Sequence, residues 1–183
     1  MNNEPLRFVQ IDQANFLEAV AFQNEIFPHN DGYRNYYESV NGLRDATYYI
    51  AYLNEEMVGL CGIYFEPVDL ESAWLGWFGV KKAYRRQHLG EKIIAFHEQL
   101  ARSKGYKYSR LFTDKNDNEV AIAFYKKMGY QEEEYINPDD PISLSMQVLI
   151  FSKSLSDEPC PSWNNRTINL TKQVEKERFR LLK

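Results

Sequence analysis

Cysteine is scarce in this chain of 183 residues. Only Cys61 and Cys160 occur, one inside an apolar strand-like run and one in a polar tail. No disulfide framework is expected, and both read as reduced thiols of a cytoplasmic protein. Histidine is as thin: His29, His88 and His97 have no partners at ligand spacing, so no metal site is expected. No run approaches the ~18 apolar residues that a membrane helix needs, so no membrane partner is expected. Met1-Asn2-Asn3-Glu4-Pro5 has no basic region followed by an apolar one, and no secretory signal is expected. A basic excess is missing too: 22 Lys and Arg stand against 26 Asp and Glu, a formal net charge of −4. That balance argues against nucleic acid as a partner and mildly for a cationic one.

What is present suits one globular domain. Hydrophobic residues at 44% and a length of 183 allow a substantial core, and 13 Tyr with 11 Phe make it aromatic-rich. Leu6 to Ile11 alternates as a strand, and Phe16, Leu17, Val20, Ala21 and Phe27 recur at helical spacing. Pro28 to Gly32 breaks that helix; Tyr33, Tyr36, Tyr37 and Val40 form a second, with an aromatic face. Thr47–Leu53 and Met57–Phe65 read as an antiparallel hairpin about Asn54-Glu55-Glu56, followed by a strand from Ala73 to Val80. A helix from Leu89 buries Leu89, Ile93, Phe96, His97 and Leu100 and closes at Gly105. Tyr106–Thr113 is a strand, and Asn118 starts a helix with Ala121, Phe124, Tyr125 and Met128 inward, ended by Gly129. Gln131–Tyr135 and Ser143–Ser152 are the last strands, separated by Asn137 to Pro141. Beyond residue 154 lies a turn-rich linker and then a charged end, Lys172 to Lys183, partly helical and without a clean apolar stripe.

The most informative stretch joins the strand ending at Val80 to the helix from Leu89. The first N–H groups of a helix have no intrahelical partners, and its dipole puts partial positive charge where they point. Lys81, Lys82, Arg85, Arg86 and Lys92 lie on or beside this turn, with Glu91 the one acid. A strand, basic turn and helix start in that order form a ready site for a phosphorylated ligand.

The residues Arg85-Arg86-Gln87-His88-Leu89-Gly90 resemble the acetyl-CoA-binding signature of the GCN5-related N-acetyltransferases, Gln/Arg-x-x-Gly-x-Gly/Ala. His88 stands where that signature has its first glycine. About thirty residues on, Asn118-Glu119-Val120-Ala121-Ile122-Ala123-Phe124-Tyr125-Lys126-Lys127-Met128-Gly129-Tyr130 resembles the family's Asn-x-x-Ala-x-x-x-Tyr-x-x-x-Gly-Phe/Tyr. The resemblance covers roughly residues 6 to 154 and implies a GNAT-like α/β (α+β) fold. That fold is a mixed, mostly antiparallel central sheet of about seven strands flanked by about four helices. A splay between strands 4 and 5 makes its cofactor cleft. Residues 1–154 form the domain and 155–183 a C-terminal extension.

By the same resemblance, Phe78, Gly79 and Val80 bond the pantetheine of acetyl-CoA. The pyrophosphate sits on the N–H groups of Arg86, Gln87, His88, Leu89, Gly90 and Glu91, with Arg85 and Arg86 adding charge. Asn118 and Ala121 belong to the cofactor side, and Tyr125 is the acid that protonates the departing thiolate. If position 88 requires positive φ, a histidine strains the backbone more than glycine. The implied reaction is direct transfer of acetyl to a primary amine, on a small molecule or a peptide. No carboxylate lies between Ala73 and Val80 to serve as base, which leaves Glu66 and Glu71 as the nearest candidates. Trp74, Trp77, Tyr33, Tyr36 and Tyr37 are candidate walls of an aromatic acceptor pocket, each also at home in a core. Glu132 to Glu134 and Asp139-Asp140 are acids that would attract a cation. A longer acyl group, or a module that binds acetyl-CoA without catalysis, remains the alternative, and a homodimer stays open.

Overall fold

The computed structural model describes residues 5–28, 30, 32–67, 69–116, 118–137 and 147–163. His29, Pro138 to Pro141 with Asp139 and Asp140, the first residues of the strand expected from Ser143, and the Lys172–Lys183 end lie outside them. Seven strands and four α-helices are formed among the described residues: β1 Arg7–Gln10, α1 Phe16–Ile26, α2 Tyr33–Val40, β2 Ala46–Leu53, β3 Glu56–Tyr64, β4 Ser72–Val80, α3 Leu89–Ser103, β5 Tyr108–Asp114, α4 Glu119–Lys127, β6 Gln131–Glu134 and β7 Val148–Ser154. This is the mixed, mostly antiparallel α/β class that the resemblance implied. No helix among the described residues is long and apolar enough to cross a membrane. The chain divides into two compact units, Met1–Lys107 and Tyr108–Lys183.

In the first unit, β1 pairs antiparallel with β2, β2 with β3 and β3 with β4. The β2–β3 turn is Asn54-Glu55, with Asn54 at φ +54°. Left-handed backbone in a two-residue loop matches the twist of a hairpin, and Asn tolerates it better than most residues. One face of this sheet carries Tyr48, Ile50 and Leu60 against Ala19 and Phe22 of α1 and Tyr36 of α2, all buried. Gln23 of α1, fully buried, donates from Nε2 to the Asn30 carbonyl at 2.8 Å and so pins the α1–α2 connection. On the sheet's other face, Phe96 of α3 stacks on Phe8 at 3.8 Å and meets Tyr49 edge-on at 5.1 Å. Phe96 and Leu100 are half-buried rather than core, whereas Ile94 and Ala101 are fully buried.

Helix α3 ends as its glycine demands. Gly105 takes φ +84°, its N–H bonds the Arg102 carbonyl at 2.9 Å, and the Tyr106 N–H bonds Ala101 at 3.1 Å. Two crossed bonds around a left-handed glycine satisfy carbonyls the helix cannot.

In the second unit, β7 lies between β5 and β6, antiparallel to both. Helix α4 repeats the same ending: Gly129 has φ +85°, Gly129 N–H bonds Lys126, and Tyr130 N–H bonds Tyr125. The segment after β7 is docked, not solvated, through residue 163. Trp163 is fully buried, and its N–H donates to Glu133 Oε1 at 2.5 Å. Arg110, also fully buried, donates to Ser152 Oγ at 2.6 Å and the Pro161 carbonyl at 2.7 Å, with its guanidinium 5.7 Å from the Trp163 ring.

Candidate active site

Strand β4 is interrupted where the site is expected. Gly62 pairs with Gly76 and Leu60 with Gly79, so Trp77 and Phe78 together stand opposite the single residue Cys61. Trp77 takes φ +45°, a conformation bulky residues rarely adopt. An extra residue in one strand is a β-bulge, which breaks ladder pairing and re-aims the backbone. The sequence reading missed it. Its signal was present in Gly76-Trp77-Phe78-Gly79, two aromatics bracketed by glycines inside a strand pattern. The Trp77 ring meets Phe27, just beyond α1, edge-on at 5.7 Å. Gly79 is packed closely from the same side: a Cβ there would stand 2.7 Å from Ile26 Cγ2 and 2.9 Å from Phe27 Cζ. The missing side chain at Gly79 therefore makes room for the chain's own α1 end.

After Val80 the chain turns. Lys81 N–H bonds the Val58 carbonyl at 2.9 Å, a short 3₁₀ turn spans Lys82–Tyr84, and Arg85 Nε returns to the Val80 carbonyl at 3.0 Å. Arg86 and His88 both have left-handed backbone, at φ +62° and +60°. The glycine position of the motif thus keeps a glycine-like conformation with histidine in it. Two left-handed residues this close curl backbone N–H groups toward a common side, a geometry that suits anions. Arg85, Arg86, Gln87 and His88 are exposed, while Leu89 is buried and holds the helix start in place.

His88 is the N-cap of α3 but caps no N–H with its side chain. Instead its Nδ1 lies 3.0 Å from Glu91 Oε1. The first N–H groups of α3 thus receive no cap from His88, and the dipole of a helix of 15 residues points out of them. Two further acids, unrecognised in the sequence, reach this region. Lys81 Nζ pairs with Glu25 at 3.2 Å, and the Tyr84 hydroxyl donates to Glu56. A cleft of about 430 Å³ opens beside them, lined by Glu18, Ala21, Phe22, Glu25, Glu56, Met57 and Lys81.

The second half of the motif lies in the other unit. Asn118 is the N-cap of α4, yet its side chain does not cap. Its amide nitrogen donates to Asp114 Oδ1 at 2.9 Å, the Asn116 carbonyl at 3.1 Å and the Asp114 carbonyl at 3.3 Å. It fastens the end of β5 to the start of α4. Ala121 is half-buried one turn in. Tyr125 is the one buried residue of α4, its ring 5.3 Å from Phe151 and 6.2 Å from Tyr130. Burial pushes its phenol well above the ordinary tyrosine value. Such a group stays protonated at neutral pH and has a proton to give.

Of the other expected residues, Trp74 and Tyr36 are fully buried and belong to the core. Tyr33 and Tyr37 are exposed and stack on each other at 6.0 Å. Glu71 Oε1 is ion-paired with Lys107 at 3.0 Å on the surface. Cys61 is buried and its thiol is pushed up to about 12, which makes it a poor nucleophile.

No curated protein matches the sequence. Solved structures do match in fold. An acetyltransferase of Bacillus subtilis in complex with CoA aligns with TM-score 0.64 at 14% identity, over 82% of this chain and 99% of that one. The PaiA N-acetyltransferase of Thermoplasma acidophilum, in complex with coenzyme A, aligns with TM-score 0.63 at 15% identity, over 81% and 98%. A GNAT-family acetyltransferase of Staphylococcus aureus aligns with TM-score 0.62 at 19% identity, over 82% and 99%. The family model of the acetyltransferase (GNAT) family matches residues 12–130, both halves of the motif included. By that match the chain belongs to the acetyltransferase (GNAT) family.

Proposed function

We propose that this protein is an acetyl-CoA-dependent N-acetyltransferase acting on a primary amine. The observation that carries the reading is the left-handed, exposed turn Arg85–His88 leading into the uncapped start of α3. It offers backbone N–H groups, a helix dipole and the cations Arg85, Arg86 and Lys92 to a pyrophosphate. Gly90, in the first helical turn, lets that backbone be approached closely.

With the pyrophosphate there, the pantetheine runs back along Val80, Gly79 and Phe78. The thioester then falls beside the bulge at Trp77, whose backbone is released from ladder pairing and offers an N–H to the carbonyl oxygen. The amine nitrogen attacks the carbonyl carbon, the C–S bond breaks, and Tyr125 gives its proton to the leaving sulfur. Asn118 sets the start of α4, on which Tyr125 and Ala121 stand. The unreactive Cys61 thiol supports direct transfer over an acyl-enzyme. We place the enzyme in the cytoplasm, with a small-molecule or peptide amine as acceptor.

Thiol release from acetyl-CoA, followed across a panel of primary amines, tests the reading. Amine-dependent release with an acetylated product is expected. Saturable cofactor binding without release from any amine would favour a non-catalytic binding module. Faster release from longer acyl thioesters would reassign the acyl donor.

A further inference from the structure

Tyr64 stands beside the bulge on the α1/α2 face of the sheet. Gly62 and Gly76 face each other across β3 and β4, and neither has a side chain to fill the space between. Rings fill it instead. A Cβ on Gly62 would lie 2.3 Å from Tyr48 Cδ1, and one on Gly76 would lie 3.1 Å from Tyr64 Cδ1. The Tyr64 ring therefore lies against the residue that immediately precedes the bulged Trp77. Side-chain alternation continues past the strand end: Phe65 points to the opposite face, where it stacks on Tyr106 at 4.7 Å. Glu66 returns to the face of Tyr64.

The chemistry of the neighbours agrees. Burial raises the Tyr64 phenol well above its usual value, the Glu66 carboxylate and Tyr48 raise it further, and Arg44 opposes them. Glu66 is thus close enough to act on Tyr64. The phenol is too weak an acid to serve as a base by ionising, and is suited to pass a proton along. Other candidates are spent: Glu71 is paired with Lys107, and Tyr36 is fully buried whereas Tyr64 and Glu66 are half-buried.

We propose that Tyr64 and Glu66 form the base that β4 lacks, a relay that carries the acceptor amine's proton away from the bulge. The inference rests on the transferase reading above. As the C–N bond forms, the ammonium proton passes to the Tyr64 hydroxyl oxygen, and the Tyr64 proton passes to the Glu66 carboxylate. The C–S bond breaks with its electron pair on sulfur, which is protonated separately. Tyr64 touches the substrate; Glu66 acts through it.

The test uses Glu66→Gln and Tyr64→Phe, both nearly isosteric, with acetyl-CoA and two probes of different basicity, an alkyl primary amine and hydroxylamine. An alkylammonium intermediate gives up its proton reluctantly and needs the base; the hydroxylamine adduct needs it far less. Both variants should lose about 100-fold in kcat/KM with the alkyl amine and much less with hydroxylamine, the KM for acetyl-CoA staying unchanged. Added formate should restore part of the Glu66→Gln loss. Equal losses with both nucleophiles would mark a structural role and overturn the relay, as would full activity in either variant. If the wild-type protein releases no thiol with any amine, the transferase reading fails and takes the relay with it. If the wild type turns over and Glu66→Gln matches it, the relay alone fails.

Discussion

Tyr125 shows how one burial decides a chemical state. Its ring packs among Phe124, Tyr130 and Phe151, and desolvation of the phenolate keeps the hydroxyl protonated. A core aromatic and a proton donor make different demands on the hydroxyl. Phenylalanine preserves the packing and removes only the proton. Tyr125→Phe should lower kcat by about 100-fold while leaving the KM for acetyl-CoA nearly unchanged. Steady-state kinetics on the purified variant decide it, and unaltered turnover would remove Tyr125 from the mechanism. His97 of α3 makes the same point with stability. Burial drives its pKa down to about 3, against a hydrogen bond to the Gly62 backbone that raises it. The folded protein therefore holds a neutral imidazole that the unfolded chain protonates below about pH 6.5. Stability is complete above that pH and is lost progressively from about 6.5 down to 3. The loss is on the order of a few kcal/mol. Urea midpoints at pH 7 and pH 4.5 should fall apart in the wild type and draw together in His97→Gln.

At the scale of elements, glycines and their partners explain why one motif reads so well. The Gly129-Tyr130 pair ends α4 by a left-handed glycine and returns the Tyr130 ring to Tyr125, so the pattern is a helix stop as much as a site signature. Local chemistry of this kind is written in adjacent residues. The strand–turn–helix at 80–92 is legible for the same reason, and so is the positive φ that a motif-glycine position imposes on His88. The bulge at Trp77 was not, because an apolar run from Ala73 to Val80 looks the same whether its ladder is continuous or broken. Glu25 and Glu56 lie 56 and 25 residues before Lys81 in sequence, and only folding brings them to the turn. The docking of residues 155–163 was hidden in the same way, since Arg110 and Trp163 are 53 positions apart. Trp163 fills a fully buried place beside a buried guanidinium. Trp163→Ala should cost about 3–5 kcal/mol in urea unfolding, far more than a solvated tail residue. A loss within ~0.5 kcal/mol, as at an ordinary surface site, would contradict the docking.

For the whole molecule, the account turns on a site built for a diphosphate at the start of α3 and a pantetheine along β4. A chain with net charge −4 gathers cations at that turn, holds two non-glycine residues there in left-handed backbone, and leaves the helix start without a side-chain cap. Strain of this kind persists where the surrounding fold enforces it, and ligand sites are where it concentrates. A ligand that binds only the folded state raises its stability by mass action, about 2.7 kcal/mol at a hundredfold excess over Kd. The most direct measurement is the melting temperature of the full chain titrated with acetyl-CoA, with CoA and ATP in parallel. The account predicts a saturable rise of about 5–10 °C with acetyl-CoA and with CoA, and little with ATP, which lacks the pantetheine. No shift at millimolar acetyl-CoA would contradict it.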